Sequence, residues 1–390
     1  MSVNTMGIEQ AYTLLNAIHD QATGKTGIAA TNLSTWVSVA QETLATGYEP
    51  TLNAITQIIG RTIVSVRPYS EKFKGLEMSA DRWGGITRKI NFADTAAYAD
   101  DTWSLVDGQA VDPFIVRKPN ILETRYTGSD VYCGQLSITR EQLTVAFSNP
   151  SEFASFMSGL MTWFVNQRTQ WLEDMKRGII DNAIGALKAM NETGRIVHLL
   201  SEYNTATGLT LTAITVMQPA NFPAFMKWAY TRISNISHLM TERSGLYQTA
   251  ITGKDIYRHT PVEDQRIYMT SKYLDAMTDM VLADVYHDNF LRYADVEAVN
   301  YWQAIKSPDT VQVTPVYINS SGVVTTGSAQ TVSPVVGIMF DRDAMGYNIY
   351  QDELQTSPYN QLGQYYNLAH HVRIQLQNDF TEKMVLLLLD

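Results

Sequence analysis

One stretch limits what this chain can fold into more than any other: SEFASFMSGLMTWFVNQRTQWLEDMKRGIIDNAIGALKAMNE, from Ser151 to Glu192. Apolar side chains recur at Phe153, Phe156, Met157, Leu160, Met161, Phe164, Trp171, Leu172, Met175, Ile179, Ala183, Leu187 and Met190. That three-and-four spacing is a single helical stripe held over about ten turns. Asn149-Pro150-Ser151 supplies cap chemistry, and Glu152 puts a carboxylate in the first turn, where the helix dipole is positive. Gly194 follows as a stop. At about 1.5 Å per residue the helix is roughly 60 Å long, and a compact chain of 390 residues has a diameter of only about 55 Å. A flat or elongated body built along a spine fits this better than a globule around a pocket. Gly159, Gly178 and Gly185 leave open a kink, or two consecutive helices.

Hydrophobic content of 45% with 17% charged residues describes an ordered protein with few solvated charges. The length allows two or three domains. No window approaches the roughly twenty uninterrupted apolar residues of a membrane span, and the N-terminus lacks the basic and apolar regions of a signal peptide. The single cysteine, Cys133, has no internal disulfide partner and reads as a packed thiol. A net charge of −10 opposes non-specific affinity for nucleic acid.

Ile8, Ala11, Tyr12, Leu15 and Ile18 share one face of a short helix over residues 7–20. Ala22 to Ser34 reads as an arm or loop, Asn53 to Ile59 as another short helix ending at Gly60, and Thr62 to Arg67 as a β run. From Tyr69 to Asp101 charges and aromatics mix, with too little apolar material for a core. An extended hairpin with Trp83-Gly84-Gly85 near its turn is the simplest reading, and its strand edges need a neighbour to cover them. Ile121 to Ile138 is β-rich, and Thr139 caps a short helix before the spine. Beyond the spine, a helix over Asn221 to Ser237, a strand over Arg266 to Thr270 and a helix capped by Ser271 form an α/β subdomain. Val335 to Phe340 is a buried strand that Gly346 to Tyr350 can meet across a turn. Ala369 to Gln377 alternates. Lys383 to Leu389, apolar on both faces, reads as a strand buried on both sides.

Motifs for chemistry are missing. Gly24-Lys25-Thr26 has His19 where a phosphate-binding loop needs glycine. His370 and His371 point to opposite faces of a strand and share no metal. Asp341, Asp343, Asp352 and Glu353 read as a solvated acidic turn, with a bridging cation as the lesser alternative. No catalytic, cofactor-binding or metal-ligating residue is nominated.

The order of parts resembles the major capsid proteins of tailed double-stranded DNA phages, with the α+β Hong Kong 97-type fold, and most of all those of short-tailed podoviruses of the Bacillus picovirus kind. The stretches that carry the resemblance are IEQAYTLLNAI at Ile8 to Ile18, the hairpin from Arg61 to Asp101, QLTVAFSNPSEFASFMSGL at Gln142 to Leu160, and GIMFDRDAMGYNIYQ through HHVRIQLQNDFTEKMVLLLLD. The resemblance implies an N-terminal arm with short helices over residues 1–60, an extended loop over 61–101 and a peripheral domain with the spine over 102–200. An axial domain over 201–335 and C-terminal strands returning to the peripheral domain over 336–390 complete it. It implies a non-enzymatic structural protein of the virion, assembled in the host cytoplasm as hexamers and pentamers into an icosahedral head. That head encloses double-stranded DNA, with no cofactor and no membrane. The partners implied are further copies of the chain, a portal protein and a separate scaffolding protein, since no acidic scaffold-like segment precedes the arm. No immunoglobulin-like decoration follows Asp390. Lys72, Lys74 and Lys89 are candidates for the cross-link of some members, but no motif selects one. In a shell, Lys72, Lys74, Arg82 and Arg88 would lie over a neighbour's acidic surface with Phe73 and Trp83 as apolar anchors. Phe164, Trp171 and Met175 would pack the spine against the returning strands. An encapsulin-type compartment shares this fold, and a soluble α/β enzyme with a motif-poor site is the alternative from another class.

Overall fold

The computed structural model describes residues 8–24, 29–62, 72–73, 75–78, 86–94, 104–112, 114–116, 118, 120–254, 256–282 and 295–390. Three helices open it: α1 (Ile8–Thr23), α2 (Leu33–Ala45) and α3 (Tyr48–Thr62). Asn32 caps α2 by accepting a hydrogen bond from Thr35 N. The third helix is longer than the sequence reading and runs through Gly60. Strand β1 (Ile86–Phe92) pairs antiparallel with β2 (Ile121–Thr127), from Ile86 opposite Thr127 to Phe92 opposite Ile121. The second half of the expected hairpin thus pairs with the β-rich stretch beyond residue 120, while the turn expected at Trp83-Gly84-Gly85 lies outside the described residues. Strand β3 (Asp130–Thr139) leads into α4 (Arg140–Ala146), where Thr139 and Gln142 form a reciprocal capping box.

The spine is one unbroken helix, α5 (Pro150–Met190). Asn149 caps it by accepting from Glu152 N at 2.9 Å. Asn191, in the left-handed conformation at φ 47°, ends it, three residues before the glycine read as the stop. Strand β4 (Ile196–His198), α6 (Leu199–Thr207), α7 (Phe222–Thr241), β5 (Gln265–Thr270), α8 (Ser271–Leu282) and β6 (Asp295–Val299) follow. Four short strands come next: β7 (Val311–Val313), β8 (Val316–Ile318), β9 (Val324–Thr326) and β10 (Gln330–Val332). The chain closes with β11 (Val335–Asp341), β12 (Met345–Thr356), β13 (Tyr365–Asn378) and β14 (Met384–Leu388).

A five-stranded sheet has the order β4-β14-β11-β5-β6, and a three-stranded sheet the order β12-β13-β3. The expected pairing of Val335–Phe340 with Gly346–Tyr350 does not form. β11 lies between β14 and β5, and β12 pairs with β13, so the turn between β11 and β12 carries the chain from one sheet to the other. The closing strands thus divide between the two sheets. The leucine run has the double burial its composition predicts. Leu386 and Leu388 pack with Ile179, Ala183 and Leu187 of the spine, and Val385, Leu387 and Leu389 pack with Phe225, Ile233 and Ile236 of α7. Each such buried side chain contributes about 1.5–3 kcal/mol.

The other half of the spine serves a second core. Phe153, Met157, Leu160 and Met161 pack with Leu15, Ile18, Trp36 and Val39 of the N-terminal helices. Trp36 makes edge contacts with Tyr12 and Phe153 and donates its indole N–H to Phe147 O at 3.2 Å.

Asp181 is buried in the middle of the spine, and its Oδ1 has no hydrogen-bond partner. Burial pushes its carboxyl up to about 7, with Arg177 opposing. A carboxyl whose folded pKa is raised contributes most below its unfolded pKa, and that contribution is lost as pH rises through the folded value. Asp181→Asn is therefore expected to stabilise the subunit more at pH 8 than at pH 5, by about 2 kcal/mol. Urea unfolding at the two pH values checks this; an equal effect at both contradicts it.

Candidate assembly interface

The β1–β2 ribbon has two unlike faces. Strand alternation puts Thr87, Lys89, Asn91, Leu122, Thr124 and Tyr126 on one face, and Arg88, Ile90, Phe92, Ile121, Glu123 and Arg125 on the other. The polar face is turned inward. Lys89 Nζ lies 2.8 Å from Asp379 Oδ2 and 2.5 Å from Glu382 Oε1, and both carboxylates are buried. Arg258 bonds Asn91 Oδ1 at 3.0 Å and Glu382 Oε1 at 3.1 Å. Gln375 donates to Tyr126 O at 2.8 Å. Burial works against the Lys89 charge, but Asp379 and Glu382 outweigh it and hold its pKa above the ordinary value. Burial likewise opposes the Asp379 charge, yet Lys89 and Thr381 keep its carboxyl below the usual range. For Glu382 burial wins over Lys89 and Arg258, and its pKa is raised.

The outer face is open. Ile90, Ile121 and Phe92 are exposed, Phe92 by 64%. Arg125 and Arg88 both bond Glu123, at 2.9 and 2.6 Å, and push its carboxyl down to about 2. Between the strands Val106, Val111, Phe114, Ile115 and Val116 are exposed too, Phe114 by 85%. Scattered exposed apolar residues are ordinary, whereas large contiguous apolar patches are typical of interaction sites.

The residues nominated for intersubunit contact divide. Arg88 lies on the outer face, paired to Glu123 of its own chain. Lys74, Arg82 and Trp83 lie outside the described residues. Lys72 is half-buried, and its carbonyl accepts from Lys176 Nζ at 3.3 Å. Phe73, expected as an exposed anchor, is corrected: it is 1% exposed and belongs to the subunit's main core. Its ring meets Tyr268 edge-on at 5.4 Å and lies 5.0 Å from the Arg177 guanidinium. Its N–H donates to Glu297 Oε1 at 2.6 Å. Leu76 and Met78 then bond Tyr347 of β12 through their backbones, so residues 72–73 and 75–78 are stitched to the body rather than projecting from it.

Along the spine, Phe164 and Met175 are buried. The Trp171 ring is half-buried and stacks on His370 of β13 at 5.6 Å with 9° between planes. It also lies flat over Gly134 of β3, where an added Cβ would come within 2.3 Å of the indole. His370 Nε2 bonds Asp352 Oδ1 at 2.6 Å, and Arg168 bonds the other oxygen at 2.7 Å. Burial raises the Asp352 pKa, but these two partners bring it below the usual value. His371 lies on the opposite face, its Nε2 4.0 Å from Cys133 Sγ. Asp341 accepts from Thr260 at 2.7 Å. Among the described residues no cluster of three or more metal-ligating side chains forms, and no helix is long and apolar enough to cross a membrane. Sequence reasoning missed the Lys89, Asp379, Glu382 and Arg258 cluster. Strand alternation separates Lys89 from Ile90 but does not say which face turns inward.

The family model described as Phi29-like phage major capsid protein matches residues 15–386 of this chain. Solved structures share the fold at low identity. The capsid structure of Staphylococcus phage Andhra aligns at 11% identity and a TM-score of 0.56, covering 83% of this chain and 85% of that one. A chain from a structure of native bacteriophage P68, titled for its head fiber and inner core protein, aligns at 11% identity and a TM-score of 0.57. It covers 83% of this chain and 86% of that one. No curated protein matches the sequence.

The ribbon's anchor is testable. Lys89→Ala leaves buried Asp379 without its cation and Glu382 with Arg258 alone, and is expected to cost about 3 kcal/mol. Without Lys89, burial is expected to raise the folded pKa of Asp379 above its unfolded value, and that of Glu382, already raised, further still. The stability these groups contribute is then retained at low pH and lost as pH rises through the folded values. The variant's deficit against the parent is thus expected to be smaller at pH 4.5 than at pH 7.5 in denaturant unfolding. A deficit that grows on acidification contradicts this.

Proposed function

This chain belongs to the Phi29-like phage major capsid protein family, and from that premise we propose that its copies form the hexamers and pentamers of an icosahedral head through the outer face of the β1–β2 ribbon. It is a structural protein of the virion, not an enzyme, with the Hong Kong 97-type fold, and its copies build the capsid shell. The finer reading rests on one observation: the ribbon's polar face is held to its own subunit while its other face leaves Ile90, Phe92 and Ile121 open. On this reading the outer face lies against the next copy in the shell, and the exposed run from Val106 to Val116 extends that contact. The spine, α4 and the three-stranded sheet act as a peripheral domain, and α6, α7 and α8 with the five-stranded sheet as an axial one. A separate scaffolding protein and a portal take part in assembly in the host cytoplasm, and double-stranded DNA is held by enclosure. The net charge of −10 is compatible with enclosure rather than with a grip on each phosphate. The short-tailed podovirus character belongs to the same proposal.

Apolar contacts dominate such interfaces, because each exposed ion pair contributes only about 0–1 kcal/mol. The double variant Phe92→Ser with Ile121→Ser is therefore expected to keep the parent's circular dichroism and unfolding midpoint. Its particle yield should fall at least about tenfold, counted by electron microscopy after expression with the phage's other head genes. Normal particles from this variant contradict the interface. A parent that stays monomeric under every such condition contradicts the shell itself.

A further inference from the structure

At the far end of the three-stranded sheet the molecule carries a knob and a hole side by side. The knob is Leu362, 101% exposed in the turn between β12 and β13. The turn is rigid. Asn360 Oδ1 accepts from Leu362 N at 3.1 Å and Gly363 N at 3.0 Å, and Asn360 N donates to Tyr365 O at 3.0 Å. Arg140 N, at the start of α4, donates to Gln364 O at 2.9 Å and ties the turn to the helix. The backbone of a leucine held this way has little conformational freedom left to lose on contact.

The hole is a groove of about 700 Å³ between β3, α4 and the first half of the spine, with Ile138, Val145, Phe156 and Trp163 among its walls and Glu141 and Glu152 also lining it. Gly159 lines it too, and a Cβ added there would meet nothing within 4 Å. Glycine inside a helix costs about 1 kcal/mol against alanine, and here the missing side chain leaves the groove open. Ile138 pairs with Tyr366 in the ladder, so Leu362, four residues further along, lies within roughly 15 Å of the wall of its own groove. Its full exposure shows that it does not enter it.

We infer that Leu362 of one copy seats in this groove of a second copy, reciprocally about a two-fold axis. A knob and a hole on one patch are what an isologous contact requires, since residue i then meets j while j meets i. Charge supports the same occupant. Arg140, exposed beside the knob, has its guanidinium over the Tyr48 ring at 4.9 Å and no carboxylate of its own chain paired to it among the described residues. It would face the partner copy's carboxylates at the groove, which in this chain are Glu141 and Glu152. The inference rests on the chain's role in a shell, where second copies are its neighbours, and it adds a contact separate from the ribbon.

The test is a disulfide across the contact. In a Cys133→Ser background, Leu362→Cys is combined with Gly159→Cys, a position where the new side chain meets no obstacle. Particles oxidised with copper phenanthroline are expected to give covalent dimers on a non-reducing gel, reversed by thiol, while each single cysteine variant stays monomeric. A ladder running past the dimer overturns the two-fold pairing. Particles whose chains stay monomeric, or link only internally, overturn the docking. Gly159→Leu is the second variant. It is expected to unfold at or above the parent's midpoint yet to lower particle yield at least about tenfold by filling the groove; an unchanged yield overturns the inference even where the double cysteine variant fails to assemble. If the parent itself forms no particles under any condition, the shell reading fails instead.

Discussion

The spine helix is a wall shared by two hydrophobic cores, and the rest of the subunit is arranged by what packs on each half of it. Its C-terminal half lies against Leu386, Leu388, Ile338 and Phe340 of the five-stranded sheet, and its N-terminal half against the three opening helices. At about 1.5 Å per residue, 41 residues of helix span roughly 60 Å, more than one compact core occupies. The two halves of the helix therefore serve different cores, and a third core joins α6, α7 and α8 to the five-stranded sheet.

Because the wall is fixed, the pieces that cross it can be presented precisely. The β1–β2 ribbon is held by an ionic cluster of Lys89, Arg258, Asp379 and Glu382, the two carboxylates standing just before β14, a strand that packs on the spine. A buried cluster of this kind adds less net stability than an apolar contact of equal size, because desolvation offsets attraction. It does fix which face of the ribbon turns inward. The other face, with Phe92 and Ile121 opposite each other in the ladder, stays exposed.

What could be read from residue order depended on how local the physical cause was. The spine was legible because its period repeats over the whole length, and β14 because four consecutive leucines demand burial on both faces. The Thr139 cap was legible because it lies three residues from its partner. The ribbon's second strand was not, since the partner of ITRKINF lies some 30 residues on and nothing in either strand names the other. Phe73 was misread for a related reason. Among charged neighbours a single aromatic looks exposed, and only Tyr268, Arg177 and Glu297, all distant in sequence, make it core. The groove near Leu362 is lined by β3, α4 and α5, and no spacing rule connects these with the β12–β13 turn that carries the leucine.

The most direct test of the two-faced ribbon is hydroxyl-radical footprinting of the phenylalanines in unassembled subunits and in particles. Phe73 is protected within the subunit and serves as the internal reference. Phe92 and Phe114 are expected to label readily in the subunit and to become at least about fivefold protected in the particle, while Phe73 stays protected in both. Equal labelling of Phe92 and Phe114 in subunit and particle, in particles that are intact by microscopy, would contradict a ribbon whose outer face belongs to the neighbouring copy.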